Sequence, residues 1–225
     1  MKTLLLKTIP LFSELKDHEL QKVAELCVLK KFRRDNLIIF EDDLGNNLFL
    51  IKSGRVKISR ISEDGREVIL AILNEGDFFG ELSLIDGMTR SANVIALGDV
   101  EVLILRRGDF LDLLSKYPTI AVSLVKELAA RIRKSDSQIQ SLSLMSAEGR
   151  VITTLIRLAE DIGTIQKGEV RITSLPCQRD LANIAGTSRE TISRFIKKFE
   201  RQGLLKKDKG ELIIFDYDRF KQAFL

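Results

Sequence analysis

The stretch Thr187 to Arg194, TSRETISR, sits behind an Ala182, Gly186, Ile192 spacing. Two helices that cross at a sharp turn need a small residue at the crossing, a residue that tolerates positive φ in the turn, and an apolar anchor beyond it. Those three positions meet the three demands. At about 3.6 residues per turn, Arg189, Glu190, Ser193 and Arg194 share one helical face while Ile192, Phe195, Ile196 and Phe199 form the opposite, apolar stripe. An upstream helix over 178–185 turns Leu181 and Ile184 inward. The pattern predicts a helix-turn-helix whose second helix presents a polar face to a partner.

The residue types on that face suit a nucleic acid. Arginine matches the O6/N7 edge of guanine and glutamate accepts from cytosine N4, so Arg189, Glu190 and Arg194 are candidate base readers, with Ser193 beside them. Ser188, Lys197 and Lys198 are better placed for phosphate, which positions the protein without specifying sequence.

The distribution of charge agrees. The chain carries 36 Lys+Arg against 32 Asp+Glu, a net +4. From Ser146 onward there are 15 basic and 11 acidic residues, whereas the preceding 145 are balanced at 21 of each. A neutral front and a basic back suggest a sensor joined to a nucleic-acid binder.

With 225 residues, 44% hydrophobic and 30% charged, the chain has the composition of a soluble globular protein of two ordinary domains. The opening segment, with Lys2 and Lys7 around three leucines, is too short for a signal peptide, and no later apolar run approaches a membrane span. A cytoplasmic protein with no membrane partner is expected. Cys27 and Cys177 form neither a disulfide framework nor a metal cluster, and buried structural thiols are the expected state of both. No enzyme is expected, because a single histidine, His18, and two scattered cysteines supply no nucleophile and base pair and no metal ligands.

The front half opens with a helix capped near Asp17, its Leu20, Val23, Ala24 and Cys27 recurring on one side. From Val28 to Arg106 come short apolar segments, among them 48–51, 56–61, 68–73 and 100–105, separated by Gly or Asx turns. That rhythm predicts an antiparallel β-roll or barrel. One stretch departs from it: Phe79 to Val94, FGELSLIDGMTRSANV. Gly80 permits close backbone approach, the turn from Glu81 through Leu82 to Leu84 aims N–H groups at an anion, and Arg90 with Ser91 supplies phosphate donors. Glu81 beside such a site fits a sugar hydroxyl, so the set reads as a nucleotide pocket; an ion pair between Glu81 and Arg90 is the alternative.

A long helix over 118–144 follows, with a heptad seam of Ala121, Val125, Leu128, Ile132, Ser135, Ile139 and Leu142. Such a seam buries against a copy of itself in a parallel dimer, and palindromic double-stranded DNA wants that symmetry. Ser135, with Asp136 beside it, interrupts the apolar run and serves either register or a ligand.

A roll bearing GEL and RSA motifs, a long seam helix and a terminal RETISR resemble the bacterial cyclic-AMP receptor protein and fumarate-nitrate regulator (CRP/FNR) family, from IPLFSEL at Ile9 to a wing near 211–215. The resemblance implies an α+β chain in three parts: a cyclic-nucleotide-binding-type β-roll over 1–117, a dimerisation helix over 118–145 and a winged helix-turn-helix over 146–225. It further implies a homodimeric transcription regulator whose affinity for DNA is set by a small effector, a cyclic nucleotide such as cyclic AMP being the candidate, and which acts through RNA polymerase. By the same resemblance Glu81 meets the ribose, Arg90 and Ser91 the cyclic phosphate and Ser135 the base, with Gly80 and Leu82 lining the site. Two departures leave the base open: Asp136 stands where the family's cyclic-AMP receptors have a serine reaching across from the other subunit, and would accept from adenine or guanine, and the GEL-to-RSA loop is one residue shorter. The alternatives are a nucleotide-binding regulatory subunit acting on a protein partner, or a regulator active without ligand. The family's iron-sulfur and haem routes need a cysteine cluster or roll histidines that this chain lacks. The expected operator is two-fold, with TGTGA-like or TTGA-like halves about one helical turn (roughly 34 Å) apart.

Overall fold

A computed structural model describes residues 2–222 and divides into two compact units, Met1–Arg133 and Lys134–Leu225. The first unit begins with α1 (Lys2–Thr8) and α2 (Asp17–Leu26). Eight strands follow: β1 (Val28–Phe32), β2 (Leu37–Ile39), β3 (Asn47–Ser53), β4 (Val56–Ile61), β5 (Glu67–Leu73), β6 (Phe78–Phe79), β7 (Asn93–Ala96) and β8 (Val100–Arg106). A short helix α3 (Leu82–Asp86) separates β6 from β7, and α4 (Arg107–Lys116) leads into α5 (Pro118–Leu144), which runs on into the second unit.

The strands form two antiparallel four-stranded sheets, in the orders β1-β8-β3-β6 and β2-β7-β4-β5. Period-two alternation assigns their faces. In β3, Leu48 and Leu50 pack with Leu103 and Leu105 of β8 against Leu6, Leu20, Val23, Phe110 and Ile120 of the helices. Phe49 and Ile51 point the other way, into a second core between the sheets with Ile39, Val56, Phe79, Val94, Ala96 and Val102. Phe49 and Phe79 stack there at 4.9 Å. Each such buried aromatic or branched side chain is worth about 1.5–3 kcal/mol, and the two cores together hold the roll closed. The stretch expected as a turn at Glu81 is the N-terminus of α3, and strands β1, β2, β6 and β7 join those the segments predicted.

The second unit takes the end of α5 and adds α6 (Ala147–Ile162), β9 (Thr164–Gln166), β10 (Glu169–Ile172), α7 (Gln178–Ala185), α8 (Arg189–Arg201), β11 (Leu205–Asp208), β12 (Glu211–Ile214) and α9 (Tyr217–Gln222). Its sheet has the order β11-β12-β10-β9. The β11–β12 wing turns at Lys209 and Gly210, both at positive φ as a two-residue hairpin requires. The core joins Val151, Leu155 and Leu158 of α6 to Leu181, Ile192, Ile196 and Phe199, with Phe220 of α9 edge-on to Phe199 at 5.9 Å.

Candidate effector site and nucleic-acid interface

In the first unit the candidate site is assembled around Arg90, which is only 6% exposed. Its Nη1 donates to Gly80 O at 2.7 Å and to Ser83 Oγ at 2.8 Å, and its Nη2 donates to Asn47 O at 2.8 Å. Burial lowers its pKa from the ordinary value, opposed by the nearby charges of Glu81 and Asp43. All three acceptors are neutral, so a buried cation stands among dipoles with no carboxylate bonded to it. Two glycines make room for it: Gly80, at φ +84°, would place a Cβ 2.7 Å from Arg90 Nη1, and a Cβ on Gly45 would collide with Ser83 Oγ and the guanidinium. A group in this position is electrostatically prepared for an anion. Ser91 and Leu82, on either flank, are exposed.

Glu81 is buried, 3% exposed, at the start of α3. The alternative pairing with Arg90 is not what the structure shows. Its Oε1 accepts from Arg131 Nη1 of α5 at 2.8 Å, and Arg131 Nη2 donates to Phe78 O at 2.6 Å while the guanidinium lies 4.4 Å from the Phe78 ring centroid. Arg131 is therefore part of the site, and sequence reasoning missed it. A signal existed: a buried carboxylate needs a cation, and Arg131 stands one helical turn before Ser135. Ser135 and Asp136 are exposed and belong to the second unit's share of α5.

In the second unit the crossing and the anchor are buried as expected, Ala182 at 4% and Ile192 at 1%. Gly186 ends α7 in the left-handed region, φ 57° and ψ 44°. Ser188 caps α8: its hydroxyl accepts from Thr191 N at 3.2 Å and donates to Thr191 Oγ1 at 3.1 Å. Arg189, Glu190, Arg194 and Lys197 are exposed and Ser193 is half-buried, so the expected face is open. Arg194 leans on the Phe195 ring at 5.1 Å, a cation–π contact that restrains its guanidinium. The Glu190 carboxyl sits below the usual carboxylate range, chiefly because its own backbone amide bonds to it at the start of α8. Lys198 is exposed and pairs with Glu148 of α6 at 2.6 Å.

The two cysteines divide. Cys27 is buried, and burial pushes its thiol up to about 11, which keeps it protonated and inert. Cys177 is exposed, contrary to the buried state expected of it, because it occupies the N-cap of α7: its Sγ accepts from Asp180 N at 3.5 Å and its thiol donates to Asp180 Oδ2 at 3.1 Å. Among the described residues no helix is long and apolar enough to cross a membrane.

A roll built around a buried arginine, followed along the chain by a winged helix-turn-helix, defines an effector-domain regulator of DNA. Comparison with known proteins agrees. The model of the cyclic nucleotide-binding domain matches residues 29–117 and that of the Crp-like helix-turn-helix domain matches 149–223. The chain is 34% identical over 205 residues to the Cyclic AMP receptor protein of Thermus thermophilus, covering 91% of this chain and 92% of that relative. It is 31% identical over 188 residues to the CRP-like cAMP-activated global transcriptional regulator of Mycobacterium tuberculosis, covering 84% of each. The solved structure of FixK2 from Bradyrhizobium japonicum shares the fold with a TM-score of 0.79 at 23% identity, over 88% of this chain and 98% of that one. The chain belongs to the CRP/FNR family. It is a DNA-binding transcription regulator, and its relatives are regulators rather than enzymes.

Proposed function

We propose that this regulator is switched by a cyclic nucleotide held in its roll, and that it reads a two-fold operator as a homodimer. The observation that carries the effector reading is Arg90: a nearly buried guanidinium bonded only to neutral acceptors and walled by two glycines. A cyclic phosphate supplies the missing negative charge, with Ser91 as a further donor and Gly80 and Leu82 lining the approach. Glu81 accepts from the ribose hydroxyl, and Arg131 neutralises it. Ser135 and Asp136 are assigned to the base by resemblance alone. The names of the two relatives above, both tied to cyclic AMP, support the same ligand class.

The homodimer rests on α5. Val125, Ile132 and Ile139 are exposed at 65%, 61% and 61% on the single chain, in seven-residue steps, and Leu142, three residues on, at 49%, the a and d spacing of a coiled-coil seam. Ala121 and Leu128 of the same seam are half-buried, Leu128 partly against the roll's core. RNA polymerase is the further partner we assign, and the cytoplasm the compartment.

Titration calorimetry of the full chain with cyclic AMP, cyclic GMP and cyclic di-GMP tests the effector. Heat from one of them, abolished in Arg90→Leu and accompanied by tighter binding to a selected DNA site, is the expected result. No heat from any, with full DNA affinity in the absence of ligand, overturns it in favour of a constitutive regulator.

A further inference from the structure

The C-terminus of α7 leaves backbone carbonyls without helical partners, as every helix does. Two of them, Ala185 O and Gly186 O, belong to the turn that sets the direction of α8. Both accept from one side chain. Arg150, in the first turn of α6, donates its Nε to Ala185 O at 3.0 Å and its Nη2 to Gly186 O at 3.1 Å. Its Nη1 donates to Met145 O at 3.1 Å, the residue that follows the last turn of α5. A planar guanidinium with donors on three nitrogens suits this geometry, and a cation is favoured at a helix C-terminus.

The surroundings tighten the same joint. A Cβ on Gly186 would stand 2.6 Å from Leu142 Cδ2, so the turn lies against the end of α5, and Gly149 leaves room for Met145, whose Cβ is 3.2 Å from where a side chain would begin. The Met145 thioether accepts from Ser141 Oγ at 3.5 Å and Thr153 Oγ1 at 3.3 Å. Ser146 caps α6 by accepting from Gly149 N at 3.2 Å.

We propose that Arg150 is the positioning residue of the reading head: by bonding Met145 O together with Ala185 O and Gly186 O it fixes the recognition helix to the end of the seam helix. The proposal rests on the DNA-reading assignment of α8. Base contacts demand side chains held to about 0.5 Å, whereas attraction to phosphate tolerates slack. Arg150 lies on α6, bonded to the turn and not on the exposed face of α8, so its loss degrades the alignment of two heads on one operator and spares what each head does alone. Lysine reaches one carbonyl instead of three and gives a partial defect.

The test measures binding of the full chain to a selected two-fold operator, to a single half-site and to random duplex at one salt concentration. Arg150→Ala is expected to weaken operator binding by at least about tenfold, the size of one good base contact, with half-site and random-duplex affinities and their salt dependence within about twofold of wild type. Arg150→Lys falls between, and carries the test if the alanine variant does not fold. Equal losses on all three DNAs, or no loss on the operator, overturn the proposal. A wild-type chain that binds operator no better than random duplex overturns the DNA-reading assignment instead.

Discussion

Glu81 and Arg131, 50 residues apart, are joined by a 2.8 Å ion pair that links the start of α3 to α5 inside the first unit. The carboxylate side chain is 4% exposed and the guanidinium 29%, so the pair is sheltered on one side and wet on the other.

Removing the cation strands the anion. Arg131→Ala is expected to destabilise the ligand-free protein by roughly 3 kcal/mol, since a buried carboxylate loses its partner and Phe78 loses its cation. The double variant Glu81→Gln/Arg131→Ala should recover most of that loss, because no uncompensated charge remains. Urea unfolding of the four proteins measures it; strictly additive effects would show that the pair contributes nothing of its own.

A second expectation concerns acid. Glu101 on β8 bonds Lys31 first and Lys52 second, and these hold its carboxyl down from 4.5 to about 2. Because the folded pKa lies below the unfolded one, the contribution is fully present above about pH 4.5 and fades as the pH falls toward 2. Stability measured against pH should therefore show wild type ahead of Glu101→Gln near neutrality, with the two curves converging on acidification. A gap that stays constant down to pH about 2.5 would count against the linkage.

On the DNA side, Arg194→Ala should weaken operator binding by about 1–3 kcal/mol while barely touching random duplex. Its guanidinium is exposed and lies on the Phe195 ring. Equal losses on both DNAs would reduce Arg194 to a phosphate contact.

What could be read from the chain depended on whether a residue's role is local. Gly186 announces its left-handed turn, and Ile192 its anchor, because both act within a few residues of themselves. The bounds of α5 were equally plain from its heptad steps. Strand β1 was harder, since four of its five residues are exposed and Lys30 and Lys31 mask the alternation. Arg131 and Arg150 were harder to read for another reason: each looks like a solvated helix cation, and their partners lie far off in sequence, Glu81 and Phe78 in one case and Ala185 and Gly186 in the other. Cys177 misled because a thiol was judged by composition, and a helix N-cap needs an acceptor at the surface.

The uncovered seam of α5 has a bearing on how the regulator is dosed. A chain that leaves Val125, Ile132 and Ile139 in water is incomplete until it meets another, so formation of the operator-reading species is second order in the amount synthesised. At concentrations below the pairing constant, halving the supply of chains cuts the working species about fourfold, a threshold that precedes any signal from the roll.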